Sequence, residues 1–199
     1  LGIVHRLDQP VEGLLVFAKN RKASRILAEQ LRQGGEGSFS KHYRAGLCGI
    51  PARREGTLED YLSKESVTLG KGQEYRAVIV APIQDAESLP RTALSGASAA
   101  KLEYRILQEQ EEKGLSLADI SLHTGRFHQI RAQMAHAGMP LLGDMKYGDE
   151  RARALGKAGG IRFVALCAYS LEFRHPVSGK RMAFRTEPRN PAFSFFSQL

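Results

Sequence analysis

Segments of strand character outnumber helical ones along this chain of 199 residues, and that ratio constrains the fold more than any single motif. Phe39 to Ile50, Glu74 to Ala81, Ala100 to Leu107, Ser116 to Leu122 and Phe163 to Phe173 are short runs suited to a pleated, half-buried surface. Helical spacing is clearest in two places. Asn20 to Gln33 sets Ala23, Ile26, Leu27 and Leu31 on one stripe, and Arg126 to Gly138 does the same with Phe127, Ile130, Met134 and Ala137. Thr124 is placed to cap the second helix and Gly138 to end it. The pattern predicts an α+β protein, a sheet with helices packed on it. About 200 residues can bury one sizeable core, and no Pro-rich or Ser-rich linker divides them, so residues 1–199 read as one domain. Gly34 to Ser38 reads as a flexible loop, and Asp85 to Ala100 as an exposed excursion.

Leu14 to Ala18 is apolar without alternation and bounded by Gly13 and Lys19, which fits a central strand covered on both faces, or a buried helical turn. Asp8 then sits in the loop leading into that strand. Pro10 pushes Gln9 into an extended conformation, so Asp8-Gln9-Pro10 is not helical. Loops at the edge of a rigid sheet are where reactive groups are commonly held, and an Asp there equally serves as a turn or cap residue.

Arg131 borders the buried stripe of the second helix, four residues after Phe127 and three before Met134. A guanidinium there cannot shed its proton and needs a partner. Asp8 is one candidate; a structural ion pair or a snorkelling edge position is the alternative. In the strand from Phe39 to Ile50, Lys41 and Tyr43 share a face with Phe39, Ala45 and Leu47, whereas His42 and Arg44 face the other way. A tyrosine so placed either packs in the core or offers its polar tip to a site.

Taken in order, Val4-His5-Arg6-Leu7-Asp8, Gly13-Leu14-Leu15-Val16-Phe17-Ala18-Lys19, Lys41-x-Tyr43, His123-Thr124-Gly125-Arg126-Phe127-His128-Gln129-Ile130-Arg131 and Gly143-Asp144-x-x-Tyr147-Gly148 resemble the RluA-type pseudouridine synthases. A closing Ala168-Tyr169-Ser170-Leu171-x-Phe173-x-His175-Pro176 segment extends the resemblance over nearly the whole chain. It implies a mixed, largely antiparallel sheet with flanking helices, the pseudouridine synthase catalytic fold. The implied reaction is isomerisation of specific uridines in rRNA or tRNA. The family's catalytic aspartate matches Asp8, its active-site tyrosine Tyr43 and its paired arginine Arg131; RNA contacts fall on His5, Arg6, Lys41, Arg126, His128 and Gln129. Opening at Leu1, almost directly on the aspartate motif, the chain is expected to follow an N-terminal segment.

The implied chemistry suits these residue types. A carboxylate beside sugar or base acts as nucleophile or base, and a guanidinium partner is expected to lower its pKa. Tyr43 is placed to stack on the uracil and to assist loss of the C5 hydrogen. The target nucleotide must first leave its stack, at a few kcal/mol. No cofactor or metal is required. One departure is Val11-Glu12-Gly13, where the family commonly carries a small polar triplet; it sets an extra carboxylate near Asp8 and bears on RNA contacts.

A net charge of +8 favours a polyanionic partner such as RNA. Lys19, Arg21, Lys22, Arg25 and Arg32 form one basic group, which also suits a solvated helix face. Cys48 and Cys167 lack metal-ligand spacing and read as free thiols in a reducing, cytoplasmic setting. His123 and His128 do not form a zinc helix motif, so no metal is expected. No stretch approaches the ~20 apolar residues of a membrane span, and no signal-peptide pattern is visible. Oligomeric state is not readable. Two other classes compete: a noncatalytic RNA-binding module on the same fold, and an Asp-dependent hydrolase, which lacks a second carboxylate or metal cluster beyond Glu12.

Overall fold

The structure, a computed structural model, describes residues 1–33, 39–69 and 72–196, so the expected loop from Gly34 to Ser38 lies outside the described residues. In chain order the elements are β1 (Gly2–Ile3), β2 (Glu12–Gly13), β3 (Phe17–Ala18), α1 (Arg21–Gln33), β4 (Ser40–Cys48), β5 (Glu55–Leu69), β6 (Gly72–Pro82), β7 (Ser98–Gln110), β8 (Leu115–Leu122), α2 (Gln129–His136), α3 (Glu150–Ala158), β9 (Leu166–Arg174) and β10 (Arg181–Arg185). The main sheet runs β10-β9-β4-β8-β7-β5-β6, with β2 added in parallel to β9. Its other pairings are antiparallel, so the sheet is mixed and largely antiparallel.

Alternation on β4 decides where the site lies. Lys41, Tyr43, Ala45 and Leu47 are buried on one face, which packs against Leu102, Ile106 and Ile120 of the neighbouring strands and Ile130 and Met134 of α2. Each aliphatic side chain so buried contributes roughly 1.5–3 kcal/mol. His42 and Arg44 turn to the other face and meet Asp119, Arg44 at 2.5 Å. α1 starts where Asn20 accepts the Ala23 N–H at 2.9 Å. Its stripe packs on Phe39, Leu171 and Phe173, and its basic residues face solvent.

Several expectations need correcting. Leu14 to Ala18 is not a central strand: Leu14, Val16 and Ala18 turn inward, while Leu15 and Phe17 are 41% and 51% exposed. Only Phe17–Ala18 is paired, with Gly2–Ile3 in a separate ribbon, because β2 occupies just the part of the β9 edge that β10 leaves open. The second helix is shorter than its periodicity, since Phe127 precedes it and Ala137 is exposed. Thr124 does not cap it; His128 stands at the N-cap in a left-handed conformation without a side-chain cap. Gly138 does end it, at φ +77°. β5 gives little strand signal because its sequence is largely polar, and β10 because it is five residues long and mostly exposed; their ladders rather than apolar burial define them.

Candidate functional site

Asp8 is positioned from both sides. The Val11 N–H returns to the Asp8 carbonyl at 2.7 Å, closing a turn around Gln9-Pro10. Glu12 and Gly13 then pin the chain to β9 beside Cys167 and Ala168. Gly13 holds φ +127°, and a Cβ there would lie 2.4 Å from the Ala168 carbonyl oxygen, so this close approach requires glycine. Glu12 turns toward the C-terminal segment, where its Oε1 accepts the N–H groups of Arg189 and Asn190 at 3.0 and 2.9 Å. The unusual carboxylate of Val11-Glu12-Gly13 thus staples two chain segments rather than adding free charge beside Asp8.

A cleft of about 610 Å³ opens over this loop, lined by Arg6, Asp8, Lys41, Tyr43 and Arg126 among others. Burial pushes the Asp8 carboxyl above its ordinary value; Arg131, a backbone hydrogen bond from His128 and Arg6 oppose that shift without reversing it. Arg131 pulls the Asp8 pKa down, as expected of a neighbouring guanidinium, but burial outweighs it. Tyr43 is buried, and burial, then the Asp8 charge, raise its phenol well above the usual range. It therefore keeps its proton at neutral pH, as a ring face and hydrogen-bond donor rather than a ready base. Burial lowers the Lys41 ammonium to about 8.

Arg131 is buried, as its position on the helix predicted, but its contact partner is Asp144 and not Asp8. Nε and one terminal nitrogen donate to the two Asp144 oxygens at 2.7 Å each. Asp144 Oδ1 also accepts from the Lys146 and Tyr147 N–H groups at 2.9 and 3.0 Å. The turn that carries it closes through the Gly148 N–H on the Asp144 carbonyl, where a Cβ on Gly148 would collide at 2.2 Å. Asp144 and Tyr147 were given no role from sequence, although the Gly143-Asp144-x-x-Tyr147-Gly148 spacing was the signal that could have found them.

The residues expected at RNA divide into two groups. Arg6 and Arg126 are exposed at the cleft, Arg126 braced by Nε on the Ala99 carbonyl at 2.9 Å, and Lys41 lines its wall. His5 lines the cleft too, but its Nε2 accepts the Val16 N–H at 3.3 Å, and burial, aided by Lys41, lowers its pKa to about 4. Gln129 spends its side chain on Thr124, Arg126, Lys101 and Gln133. The His128 ring is buried against Phe127 and Tyr147. These last two build the loop rather than present free groups.

Among the described residues no cluster of three or more His, Cys, Asp or Glu is placed to hold a metal, and no helix is long and apolar enough to cross a membrane. Cys48 and Cys167 are free and buried, their thiols pushed up to about 11 and about 12, chiefly by burial.

A family model described as RNA pseudouridylate synthase matches residues 1–136. Similar proteins include an uncharacterised RNA pseudouridine synthase of Aquifex aeolicus, 31% identical over 202 residues, covering 100% of this chain and 56% of that protein. Ribosomal large subunit pseudouridine synthase D of Zymomonas mobilis is 34% identical over 188 residues, 94% of this chain and 52% of its own length. Synthase C of Escherichia coli K12 is 33% identical over 189 residues, 92% and 51% respectively. The chain thus spans about half the length of these relatives. Among solved structures, human RNA pseudouridylate synthase domain containing 1 superimposes with a TM-score of 0.70 at 20% identity, over 94% of this chain and 69% of that one, a likeness of fold.

Proposed function

The chain belongs to the RNA pseudouridylate synthase family, and from that membership we propose that it isomerises uridine to pseudouridine within an rRNA or tRNA. Asp8 is the catalytic carboxylate, Tyr43 the ring that holds the uracil and Arg131 the cation that balances Asp8. The observation that carries the reading is that Asp8 and Tyr43 line one cleft while Arg131 lies close enough to act on the Asp8 charge.

The reaction breaks the bond from N1 to C1′, turns the uracil in place and joins C5 to C1′; C5 then loses its hydrogen as a proton and N1 takes one up. Both routes to the first cleavage, attack at C1′ and removal of a sugar proton, start from the Asp8 carboxylate. Tyr43, holding its own proton, stacks on the ring and keeps it from leaving during the turn. A cleft of about 610 Å³ admits one nucleotide turned out of its stack, and contacts there offset the few kcal/mol of unstacking. Arg6, Lys41 and Arg126 at its rim supply the phosphate contacts. Residues 1–199 act as one catalytic domain, and the cytoplasm is the expected setting.

The test is RNA from cells lacking this activity, treated with wild-type protein or with Asp8→Asn and mapped for pseudouridine by site. Product at one or a few uridines with the wild type alone supports the synthase. Tight RNA binding by both proteins with no product from either replaces it with an RNA-binding module.

A further inference from the structure

β4 and β8 pair only as far as His42 opposite Ser121. Beyond that rung Ser40 and Lys41 stay on β9 while Leu122 stays on β7, so the sheet splits and leaves a notch between the two strands. A second cavity, of about 680 Å³, is lined from both sides of the split, by Ser40 and Lys41 on one and Leu122 and His123 on the other. Lys41, Leu122 and His123 also line the cleft that holds Asp8, so the two spaces adjoin across these side chains. Lys41 stands at the junction as an unbalanced charge. It is 7% exposed, and among the described residues it makes no hydrogen bond or ion pair. Its Nζ lies against Gly125, 3.3 Å from where a Cβ would stand. An ammonium enclosed without a partner is costly, and a ligand phosphate supplies the missing charge.

The far wall of the second cavity carries two carboxylates, Glu103 and Glu172. Arg181 donates to Glu172 from two nitrogens, Nε at 3.0 Å, and so balances it. Glu103 is half-exposed, with one oxygen 3.2 Å from His123 Nε2, which leaves the other to accept from a ligand. A carboxylate accepts from the amino groups of cytosine, adenine and guanine and repels the O4 of uracil. We propose that this notch binds the nucleotide next to the target uridine: Lys41 takes the phosphate that joins the two, and Glu103 reads the neighbour by accepting from its exocyclic amino group, which selects cytidine, adenosine or guanosine over uridine. The proposal deepens the synthase reading and rests on it for the place of the target in the cleft.

The probe is a pool of short unstructured RNAs with one fixed uridine in an otherwise uridine-free sequence, its two neighbours randomised over all four bases. RNA retained by wild type, Glu103→Ala and Glu103→Lys is sequenced, and pseudouridine formed in the same RNAs is mapped. Position 103 is half-exposed on its strand, so both substitutions leave folding intact. Wild type is expected to deplete uridine ~tenfold at one of the two neighbouring positions, and Glu103→Ala to lose that bias. Glu103→Lys, whose ammonium donates to O4 and O6, turns the bias toward uridine and guanosine. A neutral methylphosphonate linkage on the same side is expected to weaken wild-type binding ~tenfold and Lys41→Met binding hardly at all. A flat base distribution with wild type, a bias that survives Glu103→Ala, or equal losses from the neutral linkage in wild type and Lys41→Met overturns the proposal. The expected biases with no pseudouridine from any of the proteins would instead sink the synthase reading and leave the notch as a subsite of an RNA-binding module.

Discussion

Arg131 gives Asp144 two parallel hydrogen bonds of 2.7 Å and acts on Asp8 through its charge alone. Asp144 is fully enclosed, and its remaining contacts are backbone N–H groups from its own turn. The cation beside the cleft is therefore oriented before any substrate arrives.

Removing one partner of that pair leaves the other charge buried. Asp144→Ala is expected to cost about 3–5 kcal/mol of unfolding free energy, whereas Arg131→Met combined with Asp144→Leu recovers most of it. Denaturant titration reads both. A single variant within about 1 kcal/mol of wild type would contradict a tightly enclosed pair.

Asp8 has a higher pKa folded than its ordinary 3.8. What it contributes to stability is thus fully present below pH 3.8 and is lost as pH rises through the folded value, so its charged form at neutral pH opposes folding. Asp8→Asn is expected to melt above wild type at pH 7, the gap closing below about pH 3.8. In the proposed reaction, which starts from the ionised carboxylate, the acid limb of kcat/KM is expected above that same pH. Equal melting temperatures at pH 7 would contradict the burial of this charge.

Asp119 behaves in the opposite sense. Burial raises its pKa, but hydrogen bonds from His42 and Tyr169 and the Arg44 guanidinium outweigh that and hold it down at about 2. Its contribution is present above 3.8 and lost as pH falls through about 2. Acid unfolding of Asp119→Asn should lack the step wild type shows in that window, with little change in kcat, since the cluster lies on the sheet face away from Asp8.

Lys41 titrates near neutrality, at about 8. If it meets an RNA phosphate, binding weakens as pH rises through about 8, and Lys41→Arg, which stays charged, abolishes that dependence. Filter binding across pH 7 to 10 at constant salt measures it; identical profiles for the two proteins would remove Lys41 from the phosphate contacts.

Gly13 admits no side chain. Gly13→Ala adds about 1–3 kcal/mol of backbone strain and drives its Cβ into the Ala168 carbonyl. Loss of stability and of activity together is the expected outcome in thermal unfolding and turnover assays; a fully active, stable variant would show that β2 does not hold the Asp8 loop.

Legibility followed the physics of each segment. Tyr43 and its face of β4 were readable because burial alternates with the pleat, and Arg131 because helical spacing put it beside a buried stripe. Its partner was not readable, since a contact from residue 131 to residue 144 depends on how a glycine turn folds back on the helix. Leu14 to Ala18 misled because an unbroken apolar run does not say which of its residues lie outward. β5 was invisible for the converse reason: a polar strand is defined by ladders to β6 and β7 that its own composition does not encode. The left-handed turn at His128 was not readable, because histidine's enrichment at positive φ is too slight to single out one residue.

In the proposed reaction Asp8 drives a rearrangement in which uridine loses its C5 hydrogen. RNA labelled with tritium at C5 of uridine tests this most directly. Wild-type protein is expected to release tritium to water in step with pseudouridine formed, and Asp8→Asn to release none while still binding the RNA. Tritium release that survives Asp8→Asn, or pseudouridine formed without it, would contradict the assignment.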